Sequence, residues 1–171
     1  MNIREYHNMP GVRTIDLTML PDERGFFMES LRLDWKDFMA EDQIVQVNTS
    51  FTYPGIIRAW HRHIRGQVDY FYVAQGALKI CAYTNDNESI DIKEGLVEIT
   101  ASSRKPQIVR IPGHYWHGFK NVNNEPSLLI YFVNRLYDSQ NPDEERRPWN
   151  DNTIINPSTK LPFDWNASPH K

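Results

Sequence analysis

Three histidines occur in patterns that chemistry can use. Gly55-Ile-Ile-Arg58-Ala-Trp-His61-Arg-His63-Ile-Arg65-Gly-Gln67-Val-Asp69 contains an H-x-H pair, and Ile111-Pro112-Gly113-His114-Tyr-Trp-His117-Gly-Phe-Lys-Asn121 supplies a third imidazole further along. Residues two apart in a strand face the same side, so His61 and His63 project together, into the interior if the strand belongs to a barrel. A neutral imidazole, with an unperturbed pKa of about 6.5, is a general base at cellular pH. Three imidazoles and a carboxylate also make a ligand set for a divalent metal. An H-x-H pair on its own equally describes partly buried structural histidines. Tyr131 sits in the apolar run Leu128 to Val133 and reads either as a proton donor or as core packing with a satisfied hydroxyl; Tyr137 is a second phenol of the same kind. His7, His114 and His170 read as surface residues, and Glu144, Glu145, Arg146 and Arg147 as a solvated run.

The elements that must position these groups are mostly strands. Segments 12–20, 44–52, 55–61, 68–76, 77–83, 106–112 and 127–133 are short and rich in β-branched and aromatic residues. Turn signals separate them: Gln75-Gly76, Asn85-Asp86-Asn87-Glu88 and Asn123-Asn124-Glu125-Pro126. This spacing predicts an antiparallel sandwich or barrel. Only 29–42 has helical periodicity, through Leu31, Trp35, Phe38 and Met39. Residues 138–171 are rich in Pro, Asn and Asp and predict an irregular but ordered tail, anchored on the barrel by Trp149, Phe163 and Trp165.

A chain of 171 residues suits one domain with its own core. Its 19 Lys+Arg against 22 Asp+Glu leave a net charge of -3, which gives no basic field for nucleic acid. The longest apolar run falls far short of the roughly 18 residues of a membrane helix. The N-terminus carries no apolar signal segment, so no membrane partner and a cytoplasmic location are expected. The single cysteine, Cys81, has no internal partner and is expected to be inert packing.

Gly followed by H-x-H, a polar residue and Gly76, then P-G-x-x-x-H-x-x-x-N, resembles the two-part signature of the cupin barrels. This implies an all-β fold, a cupin-type double-stranded β-helix (jelly-roll barrel), here with one or two short helices, and it favours function over structure for His61, His63 and His117. Metal-binding cupins add a Glu to the three His. Here Gln67 or Asp69 occupies that region, so the carboxylate reads as displaced.

A narrower resemblance spans nearly the whole chain. Asp22-Glu23-Arg24-Gly25-Phe26-Phe27-Met28-Glu29, Gln46-x-Asn48-x-Ser50, Arg58-x-x-His61, Ile111-Pro-Gly-x-x-x-His117-Gly-Phe119, Tyr131 and Trp149-Asn150-Asp151 match the dTDP-4-dehydrorhamnose 3,5-epimerases in order and similar spacing. The resemblance implies a homodimer acting without metal or other cofactor on a dTDP-linked 4-keto-6-deoxy sugar. It makes His61 the base and Tyr131 the acid, and gives Arg24, Glu29, Gln46, Asn48, Arg58 and His117 to the substrate, with His63 beside them. The alternation over Val12 to Leu20 reads as an edge strand seeking that second copy.

The chemistry is coherent. A ketone at C4 acidifies the C–H bonds at C3 and C5, so inversion needs a base, a donor for the enolate oxygen and an acid on the opposite face. Arginine forks suit a diphosphate. Two positions depart from the family: its enolate-binding Lys corresponds to Asp69, and the Asp that orients the base aligns only loosely with Asp164. A carboxylate at position 69 opposes enolate formation unless it is protonated or paired with Arg62 or Arg65. Other readings therefore stay open: a 3,4-ketoisomerase using the His61/His63 pair, a metal-dependent cupin using His61, His63 and His117, or a sugar-nucleotide binding module without turnover.

Overall fold

The run Ala77–Thr84 is apolar at most positions, a pattern that only a strand covered on both faces satisfies. The computed structural model, which describes residues 2–85 and 94–167, shows how both faces are covered. Residues 86–88 of the expected turn and His170 lie outside the described residues. The elements in chain order are β1 (Ile3–Glu5), β2 (Arg13–Asp16), β3 (Leu20–Asp22), β4 (Gly25–Phe27), α1 (Lys36–Met39), β5 (Gln46–Thr52), β6 (Ile57–Arg62) and β7 (Val68–Gln75). They continue with β8 (Ala77–Thr84), β9 (Gly95–Ser102), β10 (Gln107–Pro112), β11 (Trp116–Asn121), β12 (Ser127–Val133) and β13 (Glu145–Arg146). A six-stranded sheet has the order β1-β2-β10-β7-β12-β5, a five-stranded sheet the order β13-β6-β11-β8-β9, and β3 and β4 form a separate hairpin. The fold is the expected cupin-type jelly roll.

Between the sheets, Leu78, Ile80 and Ala82 meet Phe71, Val73, Val109 and Leu129. Cys81 and Tyr83 point the other way, under Trp60, Trp116, Ile154, Phe163 and Trp165. Burial pushes the Cys81 thiol well above its ordinary pKa, so it stays protonated and packs as a small apolar group. On the six-stranded sheet, the outer face, with Ile15, Tyr70 and Ile108, is covered by Leu31, Trp35, Phe38 and Met39.

That covering segment is not the helix expected over 29–42. Only Lys36–Met39 is helical; no side chain caps its start at Trp35, and Ala40 ends it with a φ of 52°. The apolar spacing reflects packing on the sheet, since so short a helix has little stability of its own. Segment 12–20 also divides, with β2 ending at Asp16 and β3 beginning at Leu20. Nor is β2 an edge: β1 folds back on it, Ile3 opposite Ile15, while β10 pairs on its other side. The edges of that sheet are β1 and β5. Strand β9 was not expected, although Val97, Ile99 and Ala101 alternate into the core. Trp149 is 45% exposed and belongs to none of the buried clusters among the described residues, whereas Phe163 and Trp165 pack on Trp60 with ring centroids 5.4 and 4.8 Å away. Among the described residues no helix is long and apolar enough to cross a membrane.

Because Trp165 seals the outer face of the sheet that carries His61, Trp165→Ala is expected to cost about 3–5 kcal/mol in urea unfolding. A loss below about 1 kcal/mol would show the C-terminal segment to be no part of the cooperative fold.

Candidate active site

The barrel encloses a cavity of about 550 Å³. Period-2 alternation on three neighbouring strands lines one wall. Asp69, Val133 and Gln46 stand in register across β7, β12 and β5, and Phe71, Tyr131 and Asn48 form the next row on the same face. The opposite wall is β6 and β11, where His61 and His117 are direct partners with ring centroids 4.2 Å apart. Between Arg58 and His61 the register shifts against β11, so that Phe119 opposes Arg58 while His117 opposes His61. This bulge lets two residues three apart both line the cavity, where a regular strand would send them to opposite faces. Gly118 makes it possible, since a Cβ there would lie 2.6 Å from the Arg58 carbonyl oxygen and 2.7 Å from the Ala59 Cα.

His63 lies one residue past β6 and is held from several sides. Its backbone N–H donates to the Gly113 carbonyl at 2.6 Å, and a Cβ on Gly113 would stand 2.8 Å from the His63 Cβ and 2.4 Å from the Gln67 carbonyl. The Pro-Gly of the second motif is thus a close-approach requirement beneath the first. The His63 Nδ1–H donates to the Asp143 carbonyl, and its Nε2 accepts from Gln67 Nε2 at 2.9 Å. Asp143 Oδ1 also accepts the N–H groups of Ile64 and Arg65, each at 2.9 Å.

Asp69 is the main revision. Its side chain is 2% exposed; Oδ1 accepts from Gln67 at 3.0 Å, and Oδ2 stands 3.1 Å from His117 Nε2 and 3.5 Å from His63 Nε2. The carboxylate that the motif spacing displaced therefore lies among the imidazoles. Arg62 and Arg65, offered by the sequence as its partners, are engaged with Glu145 and with Asn141 and Pro142. Ring nitrogens of His61, His63 and His117 lie within 4.8 Å of one another, a donor set able to hold a metal ion.

The electrostatics suit proton transfer. Burial first, then His117, His63 and Arg146, push the His61 pKa well down, so its imidazole is neutral with a free lone pair. Burial, aided by Asp69 and Glu144 and opposed by Arg58, pushes Tyr131 up, so its phenol keeps its proton.

Of the residues singled out by sequence, His61, His63, Tyr131, Gln46, Asn48 and Arg58 line the cavity, and Tyr137 lies at its mouth with its N–H on Gln46 Oε1 at 2.9 Å. His117 is fully buried behind His61. Arg24 and Glu29 are not brought to the cavity within this chain. Arg24 is largely exposed on the β3–β4 hairpin and paired with Asp22, and Glu29 pairs with Arg32. Asp164 is exposed and accepts the Asn166 N–H rather than touching His61. The run 144–147 is not merely solvated: Glu145–Arg146 is a strand on β6, with Arg146 opposite His61, and Glu144, Arg146 and Arg147 line the cavity. Arg147 also lies over the Trp116 ring, 4.2 Å from its centroid. Nothing local in Asp143-Glu-Glu-Arg-Arg147 distinguishes it from a surface charge run; only its pairing with β6 does.

Comparison with known proteins agrees with this geometry. Residues 6–161 match the family described as dTDP-4-dehydrorhamnose 3,5-epimerase. A probable low-salt glycan biosynthesis epimerase of Haloferax volcanii is 39% identical over 163 residues, covering 95% of this chain and 98% of that protein. A spore coat polysaccharide biosynthesis protein of Bacillus subtilis is 31% identical over 157 residues, covering 92% and 96%. The Legionella pneumophila dTDP-6-deoxy-D-glucose-3,5-epimerase, solved with dTDP-4-keto-L-rhamnose, superposes with a TM-score of 0.79 over 98% of this chain and 86% of that one, at 21% identity. The chain therefore belongs to the dTDP-4-dehydrorhamnose 3,5-epimerase family of carbohydrate epimerases.

Proposed function

We propose that the cavity binds a dTDP-linked 4-keto-6-deoxyhexose and inverts a carbon next to its ketone, with His61 as base and Tyr131 as acid. One observation carries this reading: an uncharged imidazole on β6 and a protonated phenol on β12 face the same cavity from different sheets. His61 takes the proton from one face of the carbon, the electron pair moves onto the ketone oxygen, and Tyr131 returns a proton to the other face. Solvent then restores both groups. Arg58, Arg146 and Arg147 supply positive charge along the cavity for the diphosphate. Gln46 and Asn48, joined by a 2.8 Å hydrogen bond, and His63 provide polar contacts, while His117 supports the His61 ring. The names of the relatives support a place in glycan synthesis, and the buried lone Cys81 fits a cytoplasmic enzyme.

The same reading includes a homodimer. The β3–β4 hairpin pairs with no other strand among the described residues and exposes Leu20, Phe26 and Phe27, and the edge strand β5 exposes Val47 and Phe51. A second copy would cover these surfaces, and the roles of Arg24 and Glu29 require a hairpin to reach the cavity of the other copy. Light scattering at micromolar concentration should give twice the chain mass; a monomer would overturn the dimer.

Deuterium uptake from D2O into a 4-keto sugar nucleotide tests the catalytic assignment. His61→Ala should lower exchange by about 100- to 10,000-fold while nucleotide binding is nearly kept, and His63→Ala should lower it less. A loss below about tenfold for His61→Ala is too small for a general base, and equal, total losses in both variants would move the assignment to a paired-His isomerase. Tyr131→Phe separates the two half-steps: exchange from the His61 face should persist while inverted product is lost. Loss of exchange and inversion together would remove Tyr131 from the acid role.

A further inference from the structure

Inversion next to a ketone puts a negative charge on the ketone oxygen while the carbon is between its two configurations, and donors already aimed at such a charge are usually the largest single contribution to the rate. The inner end of the cavity offers none. Gln67 Nε2 directs its two hydrogens to His63 Nε2 at 2.9 Å and Asp69 Oδ1 at 3.0 Å, His63 Nδ1–H is taken by the Asp143 carbonyl, and Asp69 is itself an acceptor. His117, fully buried, closes the row of His61 on that side. On the other side of the same row stands Arg146, the register partner of His61 in the β13–β6 pair. Residues directly opposite in an antiparallel pair send their side chains to one face, with Cβ atoms about 4.5–5.5 Å apart. Arg146 and His61 therefore share the open face of the sheet, the side from which a substrate reaches the base.

The other arginines lining the cavity are held away from His61. Arg58 Nε and Nη2 bond Thr52 Oγ1 and the Phe51 carbonyl, both at 3.3 Å, Arg135 bonds the Arg65 carbonyl, and Arg147 lies over the outward-facing Trp116 ring. Among the described residues the Arg146 guanidinium is bonded only to Glu144 Oε2, at 2.9 Å, and its side chain is 77% exposed, so it can turn toward a ligand. It is near enough to His61 to act, after burial, His117 and His63, among the causes that lower the imidazole pKa. Resting on the epimerase reading, we infer that Arg146 is a further catalytic residue, whose guanidinium donates to the ketone oxygen as His61 takes the proton. The His61 lone pair accepts the proton, the C–H electron pair becomes the C=C bond, and the C=O π pair moves onto the oxygen. The Arg146 N–H groups hold that charge until Tyr131 protonates the carbon and the pair returns to the carbonyl. This is in addition to the charge Arg146 brings to the diphosphate. Glu144, which also lines the cavity, keeps the guanidinium beside it in the free protein.

The test measures deuterium exchange by the full chain at saturating 4-keto sugar nucleotide in D2O, with dTDP affinity taken separately by calorimetry. Arg146→Ala should lower saturated exchange by about 100- to 1,000-fold, the loss that follows removal of one such donor, while dTDP affinity is nearly kept. Arg146→Lys, which keeps a charge but loses the planar fork, should fall between Arg146→Ala and the unaltered chain. Guanidinium ion, added well below denaturing concentration, should restore part of the exchange of Arg146→Ala and none of that of His61→Ala. A cavity that had merely lost its shape would not show this rescue, and the exposed position predicts unchanged thermal unfolding for both Arg146 variants. Saturated exchange by Arg146→Ala within about tenfold of the unaltered chain is too small a loss for an oxyanion donor and overturns the assignment. A fall in dTDP affinity with saturated exchange intact overturns it as well and leaves Arg146 to the diphosphate alone. An unaltered chain that exchanges no keto sugar sinks the epimerase reading and this donor with it, whereas exchange that survives Arg146→Ala sinks only the donor.

Discussion

A barrel that turns polar side chains inward leans on its outward faces as well as on the apolar cluster between its sheets. Strands β6, β7 and β11 give inward positions to His61, Asp69 and His117, which contribute little to an apolar core. The same strands turn Trp60, Tyr70 and Trp116 outward. Those rings bury only because residues 31–39 cover one sheet and residues 154–165 cover the other. The two coats have almost no regular secondary structure, yet they bury the outward rings of the strands that carry the site.

Within that frame, two close approaches decide which atoms can meet. The bulge on β6 brings Arg58 and His61 to one face and needs Gly118 opposite it. Gly113 lets the turn before β11 press against His63 and Gln67. Both glycines belong to the second histidine motif, which explains mechanically why the two halves of the signature act together: one half supplies side chains, and the other supplies room for them as well as His117.

Asp69 changes the character of the interior. A lysine at this place would be a donor toward a developing enolate, whereas Asp69 is a buried acceptor, bonded by Gln67 at 3.0 Å and facing His117 Nε2 at 3.1 Å. Oδ2 of this buried carboxylate faces Nε2 of His117 and His63 at 3.1 and 3.5 Å, and Asp69 and His63 line the same cavity that His61 and Tyr131 face.

The fold class was legible because period-2 alternation and turn residues are local signals, and the paired histidines could be read because strand geometry alone puts residues two apart on one face. Tyr131, Gln46 and Asn48 were legible only through the resemblance to the family, since nothing in their own segments separates a cavity position from core packing. What sequence could not supply were relations between distant segments. The edge position expected for β2 failed because Ile3–Glu5 folds back on it. The helix expected over 29–42 shrank to one turn because its apolar spacing serves a sheet surface rather than a helix face. Arg146 and Arg147 read as solvated charge until β13 paired with β6. Asp69 read as displaced because motif spacing measures distance along the chain, while β7 crosses in the opposite sheet and returns the carboxylate to within 3.1 Å of His117. Local geometry is set by neighbouring residues and is present in the sequence; which side chains share a cavity is set by sheet order and register, which only the folded chain decides.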